Sequence, residues 1–328
     1  MKPKVVLIAT GGTIASRYDP ALGRAVASQK AEDLLAMLPG IGEVAELEID
    51  DFATVPSFDA SLAFGAKLTR RINETLARED VAGVVVTQGT DTMEETSYLA
   101  DLLLQTDKPA VFTGAQRTHD DPQPDGPGNI LDSIRTAAAP EARGLGAVVC
   151  FNGQIHAARD VTKVHSSAVQ TFQSYDYGAL GQVDGAAVII HRRPVLRQSF
   201  AVQDLEAKVH LVRLSLGFDC SLIDALLETG AAGLVIEAFG RGNGPSCLTE
   251  RVRRAVAMGV PVVIASRCPV GRTQPIYGGG GGGRDLEDAG AIFAGDLKGP
   301  KARLLLAVLL SHRDTRGRIA ELFRALSP

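Results

Sequence analysis

The sequence predicts an α/β protein of two α/β domains, the larger N-terminal one on a mostly parallel sheet with a hairpin excursion, the smaller C-terminal one on a parallel sheet. Three observations lead there. Two short apolar runs end in glycine–threonine turns, V-V-L-I-A-T-G-G-T-I at Val5–Ile14 and V-V-V-T-Q-G-T-D-T at Val84–Thr92. Runs this short and this apolar suit strands buried on both faces. Strand-length and helix-length segments then alternate, as right-handed βαβ crossovers require. Finally, the alternation lapses over 192–208, around Pro194, and restarts at Val209. The expected division is 1–191, a linker at 192–208, and 209–328.

In order, Val5–Ala9 is the first strand, and the glycines after Thr10 permit a sharp turn with N–H groups aimed at one spot. Ser16–Ala27 has no lasting periodicity and reads as a loop, a candidate lid. Ala31–Leu38 reads as a short helix stopped by Pro39-Gly40, and Glu46–Ile49 as a strand. Leu62, Leu68, Ile72 and Leu76 form a helical stripe, with Ser57 or Asp59 as its expected N-cap. Met93–Leu104 is helical, Ala110–Thr113 a strand, His119–Gly128 a loop, Asn129–Ala138 a helix and Ala147–Phe151 a strand. Asn152–Gly181 is polar and alternating, the hairpin excursion, and Ala186–Ile190 is one more strand. Beyond the linker, strands are expected at Val209–Leu214, Gly233–Ala238 and Pro261–Ala265. Helices are expected near Asp219–Glu228, Leu248–Met258, Pro300–Ser311 and Thr315–Leu326. Gly278–Gly283, six consecutive glycines, reads either as a flexible connector or as a loop wrapping onto another subunit.

The 328 residues are 45% hydrophobic and 22% charged, an ordinary globular composition with room for one large core or two. A net charge of −4 with scattered basic residues argues against nucleic acid or an anionic membrane as partner. No window approaches the roughly 18 apolar residues of a membrane span, and no signal-peptide core is evident, so a cytoplasmic protein is expected. Cys150, Cys220, Cys247 and Cys268 are widely spread, so free thiols are expected rather than a disulfide framework or zinc site. His156 and His165 stand nine apart with no carboxylate cluster at a ligand spacing, and no metal is expected. G-x-S-x-G and Walker patterns are missing.

The two turns carry the candidate chemistry. Thr13 and Thr90 offer hydroxyls and Asp91 a carboxylate, and both turns can face one pocket at the carboxyl edge of a sheet. A threonine hydroxyl attacks poorly until something accepts its proton. A lysine can do so, and Lys163, in R-D-V-T-K-V, is the candidate, with Asp91 orienting it. Taken alone, Lys163 reads as a surface lysine before it reads as a catalytic one. Backbone N–H groups of both turns can hold an oxyanion or a carboxylate.

These residues resemble the bacterial L-asparaginase/glutaminase family. The carrying motifs are I-A-T-G-G-T-I-A at Ile8–Ala15 and V-V-T-Q-G-T-D-T-M-E-E-T at Val85–Thr96. T-G-A-Q-R at Thr113–Arg117, D-G-P-G-N at Asp125–Asn129, A-R-D-V-T-K at Ala158–Lys163, Y-G-x-L-G at Tyr177–Gly181, G-N-G at Gly242–Gly244 and K-A-R-L-L-L at Lys301–Leu306 follow in order. The resemblance implies a cofactor-free enzyme that hydrolyses L-asparagine to L-aspartate and ammonia through a threonine acyl-enzyme. It implies a homotetramer, a dimer of intimate dimers, in which each site is completed by a neighbour's C-terminal domain. Thr13 would be the nucleophile, with Thr90, Lys163 and Asp91 in support. Gly12, Ser57, Gly89 and Thr90 would hold the substrate's α-carboxylate, Asp91 its α-amino group, and Ala115 its leaving amide nitrogen. Asn243 would reach across from the partner subunit.

The chain departs from the family pattern around the α-amino group. Phe58 stands where many members have a glutamine. Tyr18 is the nearby tyrosine of a shortened lid, and Tyr277 stands close to the place of a cross-subunit glutamate. Hydrolysis of another amide (L-glutamine, D-asparagine or a peptide-linked asparagine) is the first alternative. A catalytically silent amino-acid-binding protein is the second.

Overall fold

The computed structural model describes residues 2–12, 40–202, 204–205 and 207–327, together with the backbone of 16–19 and 24–27. The chain forms two compact units, Met1–Ser199 and Phe200–Pro328.

The first unit is built on an eight-stranded sheet. Its strands are β1 (Lys4–Ala9), β4 (Glu46–Asp51), β5 (Val81–Thr87), β6 (Ala110–Thr113), β7 (Ala147–Phe151), β8 (Gln154–Ala157), β11 (Gly181–Asp184) and β12 (Ala187–Ile190). They lie in the order β12-β11-β8-β7-β6-β5-β1-β4. The run β4-β1-β5-β6-β7 is parallel and the remaining pairs are antiparallel. The continuous apolar pattern of β1 and β5 has its expected cause. Val5, Leu7 and Val85 enter a cluster with Ile130 and Ile134, while Val6, Ile8, Val84 and Val86 are equally buried. Each such side chain contributes about 1.5–3 kcal/mol relative to exposure.

Helices α2 (Leu62–Leu76) and α4 (Gly126–Ala138) pack on β5, and α3 (Met93–Leu103) packs on β6 and β7; a single turn, α1 (Ile41–Val44), precedes β4. The cap of α2 corrects the expectation. Ser61 Oγ accepts from Phe64 N at 3.1 Å, and Ser57–Asp59 is a separate 3₁₀ turn. Ser57 is thereby released from capping. Helix α4 starts three residues before the expected Asn129, because its first turn accommodates Pro127, whose missing N–H has no helical partner there.

The segment read as a loop after Thr13 contains a two-stranded ribbon, β2 (Ser16–Asp19) with β3 (Arg24–Ala27), paired Ser16 to Ala27. Its strands are only four residues each, S-R-Y-D and R-A-V-A, too short for an apolar alternation to stand out. The expected helix Ala31–Leu38 lies outside the described residues, as does Thr13. The hairpin excursion is present: β9 (Thr162–Lys163) pairs antiparallel with β10 (Phe172–Gln173), Lys163 opposite Phe172.

The second unit holds a parallel sheet of β13 (Val209–Arg213), β14 (Gly233–Ala238), β15 (Val262–Ser266) and β16 (Ile292–Phe293). It carries helices α5 (Ser221–Glu228), α6 (Ser246–Ala257), α7 (Gly283–Asp288), α8 (Gly299–Ser311) and α9 (Ile319–Leu326). The six-glycine run leads directly into α7. Gly280 N and Gly282 N donate to Asp285 Oδ2 at 2.7 and 3.0 Å, and a Cβ on Gly281 would lie 2.3 Å from the Gly244 carbonyl oxygen. The run is a fastened turn that needs glycine for close backbone approach.

The cysteine expectation is also corrected. Cys220, just before α5, and Cys247, in the first turn of α6, form a disulfide, while buried Cys150 and exposed Cys268 are free. Among the described residues no helix is long and apolar enough to cross a membrane.

Candidate active site

The site in the first unit grows from three neighbouring strand ends. Ala9 pairs with Thr87 and Thr87 with Thr113, so β1, β5 and β6 finish level at their carboxyl ends. From β1 the chain crosses to β4 on one side, and β5 then lies on the other. The gap between β1 and β5 is therefore a topological switch point, where open parallel sheets leave a crevice. Thr10 N and Thr10 Oγ1 both donate to Thr87 O, at 3.0 and 2.9 Å, tying the two ends together.

The two turns touch. Gly11 and Gly12 have φ of 93° and 101°, in the left-handed region, and a Cβ on Gly12 would sit 2.3 Å from Gly89 N. Glycine at 12 is thus demanded by both conformation and contact. A Cβ on Gly89 would lie 2.5 Å from Ser57 Oγ, so Ser57 closes against the second turn. Ser57 Oγ accepts from Asp91 N at 3.3 Å, and Thr92 Oγ1 donates to Ser57 O at 2.7 Å.

Lys163 meets the second turn from the hairpin. Its Nζ donates to Thr90 Oγ1 and to Asp91 Oδ1, both at 2.8 Å. Its main-chain N donates to Glu94 Oε2 at 2.8 Å, so the first turn of α3 grips the strand that presents the lysine. Lys163 is largely covered while the Asp91 side chain is 55% exposed, which leaves one face of the carboxylate open to a ligand.

The third strand end contributes T-G-A-Q-R. Ala115 is buried, and Asn129 Nδ2 donates to Gly114 O at 3.0 Å. Gln116 Nε2 donates to Thr90 Oγ1 at 3.3 Å, and the Asp125 carboxylate accepts from Gln116 N at 3.0 Å and Arg117 N at 2.9 Å. Beneath it, Thr113 Oγ1 donates to Cys150 O, and burial pushes the Cys150 thiol up to about 12, which keeps it out of thiolate chemistry.

Six of the expected residues are thus gathered in one place: Gly12, Ser57, Gly89, Thr90, Asp91 and Lys163, with Ala115 on the adjoining strand end. Thr13 lies outside the described residues, and only the backbone of Tyr18 is described, in β2. Asn243 and Tyr277 belong to the second unit. There Asn243 Oδ1 accepts from Gly283 N at 3.0 Å, and Tyr277 is exposed with its carbonyl accepting from Arg284 N. Phe58 is 72% exposed and offers no side-chain hydrogen bond. Among the described residues no group of three or more His, Cys, Asp or Glu is placed to hold a metal ion. A hydroxyl bonded to a lysine side chain, beside a carboxylate and backbone N–H groups, is equipped for proton transfer and anion binding.

Comparison with known proteins identifies the family. The family model "Asparaginase, N-terminal" matches residues 4–196, and "Glutaminase/Asparaginase C-terminal domain" matches residues 208–323. The chain belongs to the asparaginase family. It is 40% identical to a probable L-asparaginase of Deinococcus radiodurans over 98% of this chain and 97% of that protein. It is 34% identical to an L-asparaginase of Bacillus licheniformis, over 95% of this chain and 96% of that one. A differently named relative, a glutamyl-tRNA(Gln) amidotransferase component from Thermofilum pendens, is 31% identical over 99% of this chain and 74% of its own length. Membership makes the chain an amidohydrolase.

Within this asparaginase fold, sequence reasoning missed three residues: Gln116, Asp125 and Glu94. A signal existed for the first two. T-G-A-Q-R follows a strand adjacent to β5, and D-G-P-G-N opens the helix beside it. Glu94 gave none beyond its place in the second motif, since its partner is the main chain of a residue 69 positions away.

Proposed function

We propose that the chain is an L-asparaginase that hydrolyses L-asparagine to L-aspartate and ammonia through an acyl-enzyme on Thr13. The observation that carries the reading is the Lys163 ammonium shared at 2.8 Å between the Thr90 hydroxyl and the Asp91 carboxylate, beside the first glycine turn. Binding alone has no use for a hydroxyl with a proton relay. In this scheme the Thr13 oxygen attacks the amide carbon and the N–H groups of the turns hold the developing oxyanion. Ammonia leaves with the proton that Thr13 gives up, and water then cleaves the ester and restores that proton. Thr90 and Lys163 pass the protons. Ser57, with the Gly12 and Gly89 main chain, takes the α-carboxylate; Asp91 takes the α-amino group, and the Ala115 carbonyl the leaving nitrogen.

The assembly belongs to the proposal too. A homotetramer of intimate dimers would bring a neighbour's Asn243 and Tyr277 to each site. Tyr277 has the hydroxyl that Phe58 lacks.

A second reading concerns which amide is preferred. Exposed Phe58, apolar where the pattern has a glutamine, favours relaxed recognition of the α-amino group, and one lost charge-assisted hydrogen bond costs about 1.5–3 kcal/mol. Rates of ammonia release from L-asparagine, L-glutamine and D-asparagine, each against Thr13→Ala, test both. The leading reading predicts the highest kcat/KM for L-asparagine. L-asparagine turnover no faster than the Thr13→Ala control would reject it.

A further inference from the structure

Thr90 Oγ1 is a single hydroxyl oxygen, with two acceptor positions and one proton to donate. Both acceptor positions are occupied. Lys163 Nζ donates from one side at 2.8 Å and Gln116 Nε2 from another at 3.3 Å. The Thr90 proton is therefore directed along the remaining direction, away from both donors. Thr90 is only 6% exposed, so little solvent competes for that geometry.

Gln116 is itself held in place. Its main-chain N donates to both oxygens of Asp125, at 3.2 and 3.0 Å, and the next N–H, of Arg117, joins them at 2.9 Å. Asn129 Nδ2 reaches Asp125 Oδ2 at 3.3 Å and the Gly114 carbonyl at 3.0 Å, fastening the strand end on its other side. Such clamping restricts the backbone from which the amide reaches Thr90 and reduces the ordering left to be done during reaction.

We infer that Gln116 is a positioning residue for the proton relay, acting through Thr90, an inference that rests on the function proposed above. With both acceptor positions filled, the Thr90 proton has one direction left, which sets the direction of the relay. Through Thr90 the Thr13 proton is passed on to the leaving amide nitrogen: the Thr13 O–H and amide C–N bonds break, the Thr13 O–C bond and a new N–H bond form, and Thr90 ends with one proton, as it began. Negative charge that develops on the Thr90 oxygen during the transfer is stabilised by Lys163 Nζ and the Gln116 amide. The other charged groups around this pair are Asp91 and Glu94, both on Lys163, and Asp125, on the Gln116 main chain.

Two substitutions test this. Gln116→Met keeps the length and removes the donor. Its kcat is expected to fall about tenfold, which is about 1.4 kcal/mol, with KM within about twofold. Gln116→Glu is a donor only while its carboxyl is protonated. Its kcat relative to wild type should approach one only well below the ordinary glutamate value of about 4.3, which the neighbouring lysine lowers further, and fall about tenfold or more as the carboxyl ionises above it. A merely structural role does not produce that titration. A Gln116→Met kcat within about twofold of wild type, or a Gln116→Glu ratio flat with pH, overturns the inference. If Gln116→Met does not fold, the titration of Gln116→Glu decides alone. A wild-type enzyme inactive on every amide would instead reject the proposed function.

Discussion

Lys163→Met is the substitution whose consequences follow most directly from the geometry. Methionine retains an unbranched apolar stem of similar length, so the packing of the largely covered side chain changes little. What disappears are the two 2.8 Å bonds to Thr90 Oγ1 and Asp91 Oδ1. Charge-assisted bonds contribute about 1.5–3 kcal/mol each when buried. The Asp91 side chain is 55% exposed, however, and water replaces its lost partner, so the stability change should stay within about 1 kcal/mol. Catalysis is hit harder, because Thr90 loses the group that manages its proton. Positioned acid–base groups contribute about 10²- to 10⁴-fold. That corresponds to about 2.7–5.5 kcal/mol of barrier. We expect kcat for ammonia release from L-asparagine to fall within that range, with KM changed less than about threefold. A thermal melt of the same preparation checks the fold. A kcat reduced by less than about tenfold in folded protein would return Lys163 to the surface-lysine reading and refute the relay.

Two other predictions concern the scaffold. Arg197 Nε bonds Asp101 Oδ1 at 2.8 Å, and the same oxygen accepts from Ala147 N, so Arg197→Ala leaves a buried carboxylate without its cation. The expected cost is about 3 kcal/mol near neutrality, read by urea unfolding. Burial already lifts the Asp101 carboxyl above its ordinary value, against the pull of Arg197, and losing Arg197 lifts it further. The deficit should therefore be smallest below about pH 4, where Asp101 is protonated folded and unfolded, and should grow as pH rises through the folded-state value. A deficit independent of pH would contradict this. For the cysteines, alkylation of unreduced, denatured protein should label Cys150 and Cys268 and spare Cys220 and Cys247. Reduction should cost the second unit about 3–4 kcal/mol, from the 27-residue separation of the bridge; labelling of all four cysteines would contradict the bond.

The core of the site was legible because buried parallel strands leave continuous apolar runs. Val5–Ala9 and Val84–Thr87 announce two such strands, and a glycine–threonine turn after each places both hydroxyl turns at one sheet edge. Lys163 was a different case. On its own pattern it read first as a surface lysine, and only the pairing of Thr162–Lys163 with Phe172–Gln173 brings its Nζ to Thr90. Capping was misassigned because Ser57, Asp59 and Ser61 all stand before one apolar stripe and all suit an N-cap. The structure gives the cap to Ser61 and leaves Ser57 on the second turn. The β2–β3 ribbon left no apolar period, and the cysteine pair no close spacing. Cys220 and Cys247 meet because the starts of α5 and α6 are neighbours, a tertiary fact.

The central claim is that a threonine hydroxyl at the end of β1 attacks an amide and carries the acyl group. Hydroxylamine trapping tests it most directly. With L-asparagine and hydroxylamine present, wild type should release ammonia and divert part of the acyl group into aspartyl hydroxamate, in place of aspartate. Thr13→Ala, verified as folded by its melting curve, should do neither. Ammonia release by Thr13→Ala at the wild-type rate, or wild-type turnover that never yields hydroxamate, would contradict the account.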